Sequence, residues 1–143
     1  PAVEVSITAP DTLLMIPMDI ILVEQVLINL MENAVQHGKT TTKIELRLSS
    51  TGGFAVFEVA DNGCGIEKEL LPHLFEGYLT RDHEEISDQR RNMGIGLSVC
   101  MSIVQAHGGT MRAKNRKKGG ALLQFTLPLE EISHEYQREG SSN

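Results

Sequence analysis

Asn29, Asn33 and His37 recur every four residues along an otherwise aliphatic stretch. On a helix that spacing puts them on one polar stripe. Carboxamides held on an apolar helix need hydrogen-bond partners or a ligand. A second group, Asp61-Asn62-Gly63-Cys64-Gly65-Ile66, interrupts a β-rich run. An ionised carboxylate only accepts hydrogen bonds, so Asp61 selects an amino group over a keto group. Gly63 and Gly65 let backbone turn sharply and approach a flat ligand. A third group, Gly94-Ile95-Gly96-Leu97, precedes an apolar helical pattern. Glycines at a helix N-terminus expose N–H groups, and the helix dipole favours a phosphate there. Taken singly, each has a plain structural explanation: satisfied core amides, an Asp-Asn-Gly turn, a hinge.

The elements that must position these groups follow from periodicity. Ile20, Val23, Leu27, Leu30 and Ala34 predict a helix from about Met18 to His37. Asp19 can cap its start, and Gly38 sits where a left-handed residue often ends a helix. Alternation predicts strands at Val3–Thr8, Lys43–Leu48 and Phe54–Ala60, the last two joined by a Gly52-Gly53 turn. Leu13–Ile16 reads as a further short strand, and Glu67–Glu76 as short helical turns. Leu79 to Met93 reads as a long polar loop, ended by Gly94-Ile95-Gly96. A second helix is expected over Leu97–His107, then strands at Thr110–Ala113 and Ala121–Leu127 around a basic turn at Asn115–Gly120. This order predicts an α/β fold: a two-layer α/β sandwich, a mixed sheet with helices on one face. The expected domain is 1–129, with a disordered polar tail over 130–143.

The 143 residues suffice for one core, which must be aliphatic because the chain has no Trp and few aromatics. A net charge of −6 argues against nucleic-acid binding but leaves room for a nucleotide held by amides and a few cations. Cys64 and Cys100 have no zinc-like spacing and form no disulfide framework. Pro1 leads almost directly into a strand, so an excised domain is expected, one that makes no direct membrane contact.

Together and in this order the motifs are specific. The chain resembles the catalytic, ATP-binding domain of sensor histidine kinases, in the superfamily shared with gyrase, heat-shock-90 and mismatch-repair ATPases. Asn29–His37 looks like the N box, Asp61–Ile66 the first glycine box, Leu74-Phe75-Glu76 the F box, and Met93–Ser98 the second glycine box. Ile103–Gly109 and the close from Gly119-Gly120 to Phe125-Thr126-Leu127-Pro128 are also typical. The run Ile16-Pro17-Met18-Asp19 leading into Glu24-Gln25-Val26-Leu27 most resembles potassium-responsive sensor kinases.

The resemblance implies the Bergerat ATP-binding fold and ATP with Mg²⁺ as ligands. Asn33 would ligate the metal, and Asn29 would lie beside the phosphates or the metal's water shell. His37 and Gln36 would sit near phosphate, Gln36 where the family often has Lys. Asp61 would bind the adenine amine, with Gly63 and Gly65 close by. Ile66, Leu97 and Leu123 or Phe125 would wall the adenine. Gly94, Ile95 and Gly96 would let a lid fold over the triphosphate, with Tyr78, Arg81, Arg90 and Arg91 as lid contacts. Gly77, Leu79 and Ala121 depart from the family's usual residues. Hydrolases of the superfamily carry Glu where this chain has Asn29, and Asn cannot take a proton. Transfer to a His is therefore expected, with Glu32 placed to orient the acceptor. The alternatives are a hydrolysing ATPase and a non-catalytic regulatory module. No His here lies in a phosphoacceptor context, so the acceptor sits on a separate dimerisation domain that also meets a response regulator. The chain alone is expected to be a monomeric cytoplasmic domain of a membrane-anchored parent.

Overall fold

A computed structural model of the chain describes residues 2–76 and 88–130, over 88–95 for the backbone alone. Its elements are β1 (Glu4–Thr8), α1 (Ile20–Gln36), β2 (Lys43–Thr51), β3 (Phe54–Asp61), α2 (Asp88–Ala106), β4 (Met111–Asn115) and β5 (Ala121–Pro128). A 3-10 turn at Leu71–His73, with Pro72 inside it, is the only regular piece described between β3 and α2.

Asp19 caps α1 as its sequence suggests. Its backbone is extended, and its carboxylate accepts the Leu22 N–H at 3.2 Å. Val23, Val26, Leu30 and Ala34 form the buried face. Val26 and Leu30 are fully enclosed, each contributing about 1.5–3 kcal/mol over exposure. Ile20 was expected on that face and lies outside it, 71 % exposed, because this stretch carries more apolar residues than one helix face can bury. At the other end the left-handed residue is Lys39 (φ 59°), not Gly38. Gly38 is glycine for space: a Cβ there would collide with Thr41 Oγ1 and the Ala34 carbonyl. The Thr41 hydroxyl donates to that carbonyl at 2.6 Å, satisfying one of the helix's last acceptors.

The strands form one mixed sheet in the order β1-β2-β3-β5-β4. β1 pairs with β2 in parallel, and the other neighbours are antiparallel. Thr51 faces Phe54 across the Gly52-Gly53 turn, whose φ values of 56° and 83° suit a tight hairpin. Ile44, Val59, Leu123, Phe125 and Leu127 meet α1 residues and Leu97, Cys100 and Val104 of α2 in one cluster. Both helices therefore cover the same sheet face. Phe57 stacks on Phe125 across β3 and β5, centroids 4.6 Å apart. The opposite face carries a polar ladder in which Arg47 pairs with Glu45 at 2.6 Å and Gln124 donates to Glu58 at 3.4 Å. His107 ties the helices together: its Nε2 accepts the Asp19 N–H at 3.0 Å, and its Nδ1 donates to the Ile103 carbonyl at 2.8 Å.

Three further expectations are corrected. Leu13–Ile16 is not a strand; confined between Pro10 and Pro17 it finds no ladder among the described residues, and of its backbone groups only the Met15 carbonyl is bonded there, by Glu130 N–H at 2.8 Å. β1 is a strand but not half-buried, since it lies at the sheet edge with every residue exposed. Gly94-Ile95-Gly96 does not open α2, which already begins at Asp88. Gln, Arg and Met are good helix formers, an Asp suits a helix start, and two glycines tax a helix without forbidding it. The expected tail lies outside the described residues from 131 onward.

Candidate functional site

The end of α1, the loop after β3, the body of α2 and the start of β5 line an open cleft. Asn33, His37, Asp61, Gly65, Ile66, Leu97 and Leu123 line it, with Ala34, Gly38 and Ala121. Asn33 and His37 of the helix's polar stripe thus share one cavity with Asp61 and Gly65 of the Asp-x-Gly-x-Gly loop. Leu123 supplies the wall; Phe125 is fully buried in the core against Phe57.

Asp61 is the one buried charged or polar residue among those described, 5 % exposed. It ends β3 on the core face, opposite Ile44. Its Oδ1 accepts the Gly63 N–H at 2.8 Å and the Ala121 N–H at 3.2 Å. Those two bonds offset the cost of burying the carboxylate. They leave Oδ2 with no hydrogen bond from the described residues, an acceptor without a donor. Gly63 does not line the cleft; it supports Asp61 and packs so tightly on Gly38 and Thr41 that no Cβ would fit.

Asn33 lies in the last turn of α1. Its Nδ2 is buried with no hydrogen-bond partner. An orphaned buried amide costs about 1–3 kcal/mol. Among the described residues no three His, Cys, Asp or Glu side chains gather in a way that could hold a metal. A lone amide oxygen suits a hard cation that keeps its waters and takes further oxygens from a phosphate. His37 is half-buried, and burial, then the charge of Lys39, lowers its pKa from the ordinary 6.5. It presents a neutral imidazole to the cleft.

Asn29 does not line the cleft. It stands beside the Cys100 thiol, whose pKa burial raises while the Asn29 side chain partly opposes the shift; the thiol itself donates to the Val26 carbonyl at 3.9 Å. Asn29 Oδ1 lies 4.0 Å from where a Gly96 side chain would begin. Glu32 and Gln36 are exposed and stand outside the lining. Tyr78 and Arg81 lie outside the described residues. Arg90, Arg91, Gly94 and Ile95 are described only as backbone within α2.

Sequence reasoning missed the residues behind the loop. Asn115 bonds both backbone groups of Ile66, accepting its N–H and donating to its carbonyl, each at 2.7 Å. Arg116 Nη1 donates to the Asp61 carbonyl at 2.7 Å. The basic turn was visible as a turn, but nothing local indicates which loop it braces.

Residues 18–131 match the family of histidine kinase-, DNA gyrase B- and HSP90-like ATPases. The chain is 39% identical over 127 residues to sensor protein KdpD of Clostridium acetobutylicum, an overlap covering 89% of this chain and 14% of that protein. The chain thus spans only a small part of that relative's length. Among solved structures, the ATP binding domain of PrrB from Mycobacterium tuberculosis superposes with a TM-score of 0.72 at 27% identity, covering 92% of this chain and 83% of that one. Full-length ShkA in complex with AMPPNP gives a TM-score of 0.69 at 27% identity, covering 89% of this chain and 26% of that one. Matched along most of its length and folded alike, the chain belongs to the histidine kinase-, DNA gyrase B- and HSP90-like ATPase family, among the ATP-binding catalytic domains of sensor histidine kinases.

Proposed function

We propose that this chain binds ATP in the cleft and presents its γ-phosphoryl group to a His on a separate dimerisation domain. The observation that carries the reading is the buried Asp61 carboxylate. One of its oxygens is held by two backbone N–H groups, and the other awaits a donor such as the adenine amine. Ile66, Leu97 and Leu123 wall the base, and Gly65 gives the backbone its close approach. Asn33 would hold Mg²⁺ through its side-chain oxygen, and the metal would supply neutralisation of phosphate charge there. Asn29, Gln36 and His37 serve the phosphate side, joined by Gly94 and Gly96 of α2, with Tyr78, Arg81, Arg90 and Arg91 as the candidate further phosphate contacts.

The chemistry asked of the chain is positioning plus charge neutralisation. Asn29 cannot act as a base toward water, which disfavours hydrolysis. A neutral imidazole acceptor is already nucleophilic and needs little activation. Glu32, exposed on α1, faces outward, where a docked acceptor helix would meet it. The acceptor domain passes the phosphoryl group to a response regulator, and this work belongs to the cytoplasm, where ATP is supplied. Among the described residues no helix is long and apolar enough to cross a membrane, and an anchor for the parent is placed elsewhere in it.

The test mixes the chain with a matching His-bearing dimerisation domain and γ-labelled ATP. Label should appear on the acceptor His, with little phosphate released by the chain alone. Label on one of the chain's own His residues, or vigorous phosphate release without a partner, would replace this reading with self-modification or hydrolysis. Failure to bind ATP would leave a regulatory module.

A further inference from the structure

We infer that the β4–β5 connection belongs to the base-reading apparatus: Asn115 and Arg116 hold the Asp61–Ile66 loop in the shape that selects adenine. The inference rests on the ATP site proposed above and names what fixes its specificity.

β3 ends at Asp61, so the residues that follow have no ladder of their own. The first half of the loop is held from within and from below. Gly63 N–H bonds Asp61 Oδ1, and Cys64 N–H donates to the Gly38 carbonyl at 2.9 Å. The second half, which carries Gly65 and Ile66 into the cleft, has a different support. Both backbone groups of Ile66 are taken by the one Asn115 carboxamide, 49 positions away in sequence. The side chain does for Ile66 what a neighbouring strand would do: one bond accepted and one donated across a planar amide. It also sets the approach of Gly65, whose φ of 82° suits glycine, because a Cβ there would lie 2.9 Å from Asn115 Oδ1.

Arg116 fixes the other end. Its guanidinium bonds the Asp61 carbonyl, and its own backbone closes the turn by donating to the Gly120 carbonyl at 2.8 Å. Gly120 (φ 88°) lies flat against the Asp61 backbone, where no side chain fits. Ala121 N–H then reaches Asp61 Oδ1. The hairpin therefore fixes both the acceptor that reads the base and the backbone that lies beside the ring. Adenine differs from hypoxanthine at the group Asp61 reads, where an amine donor gives way to a keto oxygen. A loop held in register discriminates them, and a slack loop lets the carboxylate retreat from the keto oxygen. Asn115 and Arg116 are thus positioning residues for base selection.

The test is calorimetric titration of the chain with ATP and with inosine triphosphate, for wild type, Asn115→Ala, Asn115→Asp and Lys117→Ala. Asn115→Asp keeps the size and the acceptor but turns an oxygen toward the Ile66 carbonyl. Lys117 is an exposed neighbour outside the loop contacts and controls for charge near the cleft. Melting curves on each variant establish that it is folded. Both Asn115 variants should bind ATP about tenfold more weakly while inosine triphosphate binding hardly changes, narrowing the ratio. Lys117→Ala should keep the wild-type ratio. An unchanged ratio in folded Asn115→Ala and Asn115→Asp overturns the inference. So does a parallel loss for both nucleotides, which would mark a general scaffold. Wild type that binds neither nucleotide overturns the ATP site itself, and this inference with it.

Discussion

The two ends of the cleft are built on opposite plans. Around Asp61 the protein meets nearly all of its own hydrogen-bonding needs. Two backbone N–H groups reach one carboxylate oxygen, an Arg reaches the carbonyl, and an Asn takes both backbone groups of Ile66. Around Asn33 the protein leaves a buried amide donor without a partner among the described residues, and Gly94 and Gly96 sit within α2. One end is shaped before any ligand arrives, as specificity requires. On the function proposed above, the other would be completed by phosphate and metal, and the cleft would divide rigid recognition of a base and adaptable handling of a charged tail between different elements.

The contrast can be broken most forcefully at Gly120. Gly120→Ala puts a methyl against the Asp61 carbonyl and 2.9 Å from Asn62 Cα at a φ of 88°. It should cost about 3 kcal/mol or more of stability by denaturant unfolding. A wild-type midpoint would show that the base end is not rigid. Next comes Asp61→Asn, which keeps an acceptor for Gly63 and Ala121 but turns the outward oxygen into a donor facing a donor. ATP binding should weaken about 30- to 100-fold by calorimetry. Retained affinity would move base recognition elsewhere in the cleft.

Asn33→Ala probes the unfinished end. The Mg²⁺-dependent gain in ATP binding should shrink about tenfold. Stability should stay within about 1 kcal/mol of wild type, because the unpaired donor leaves with the side chain. A large loss of stability would mean that Asn33 is structural. The smallest effect is expected at His37. Its folded pKa lies below the ordinary 6.5, so below pH 6.5 the unfolded chain takes up more protons than the folded one. Its contribution to stability is complete above pH 6.5 and diminishes as pH falls toward the depressed value. His37→Gln should flatten that part of the melting-temperature profile, and an unchanged slope would assign it to other groups.

Much of this was legible from sequence because it is local. The cap at Asp19, the Gly-Gly hairpin and the strands follow from periodicity and turn chemistry. The order of the motifs then brought Asn33, His37, Asp61, Gly65, Ile66, Leu97 and Leu123 to one cleft. What escaped is non-local. Asn115 and Arg116 act across 49 and 55 positions, and nothing in their neighbours announces the loop they hold. The exposure of β1 depends on its being an edge strand, which alternation cannot reveal. Ile20 stays out of the core while Val26 is fully buried, because the α1 stretch offers more aliphatic residues than its face can bury. The start of α2 was misplaced because two glycines were read as a boundary, whereas the residues before them favour helix strongly enough to run through.

That last feature bears on affinity. Gly94 and Gly96 each weaken α2 by about 1 kcal/mol relative to Ala. Within a continuous helix the Gly96 and Leu97 amides are engaged by carbonyls four residues back. A phosphate seeking those amides competes with the helix for the same donors. On the ATP site proposed above, the dissociation constant would combine intrinsic binding with the fraction of molecules whose helix is open at that turn. The two glycines would then act as a set-point on that fraction, leaving the helix weak enough to yield to a triphosphate and strong enough to re-form afterwards.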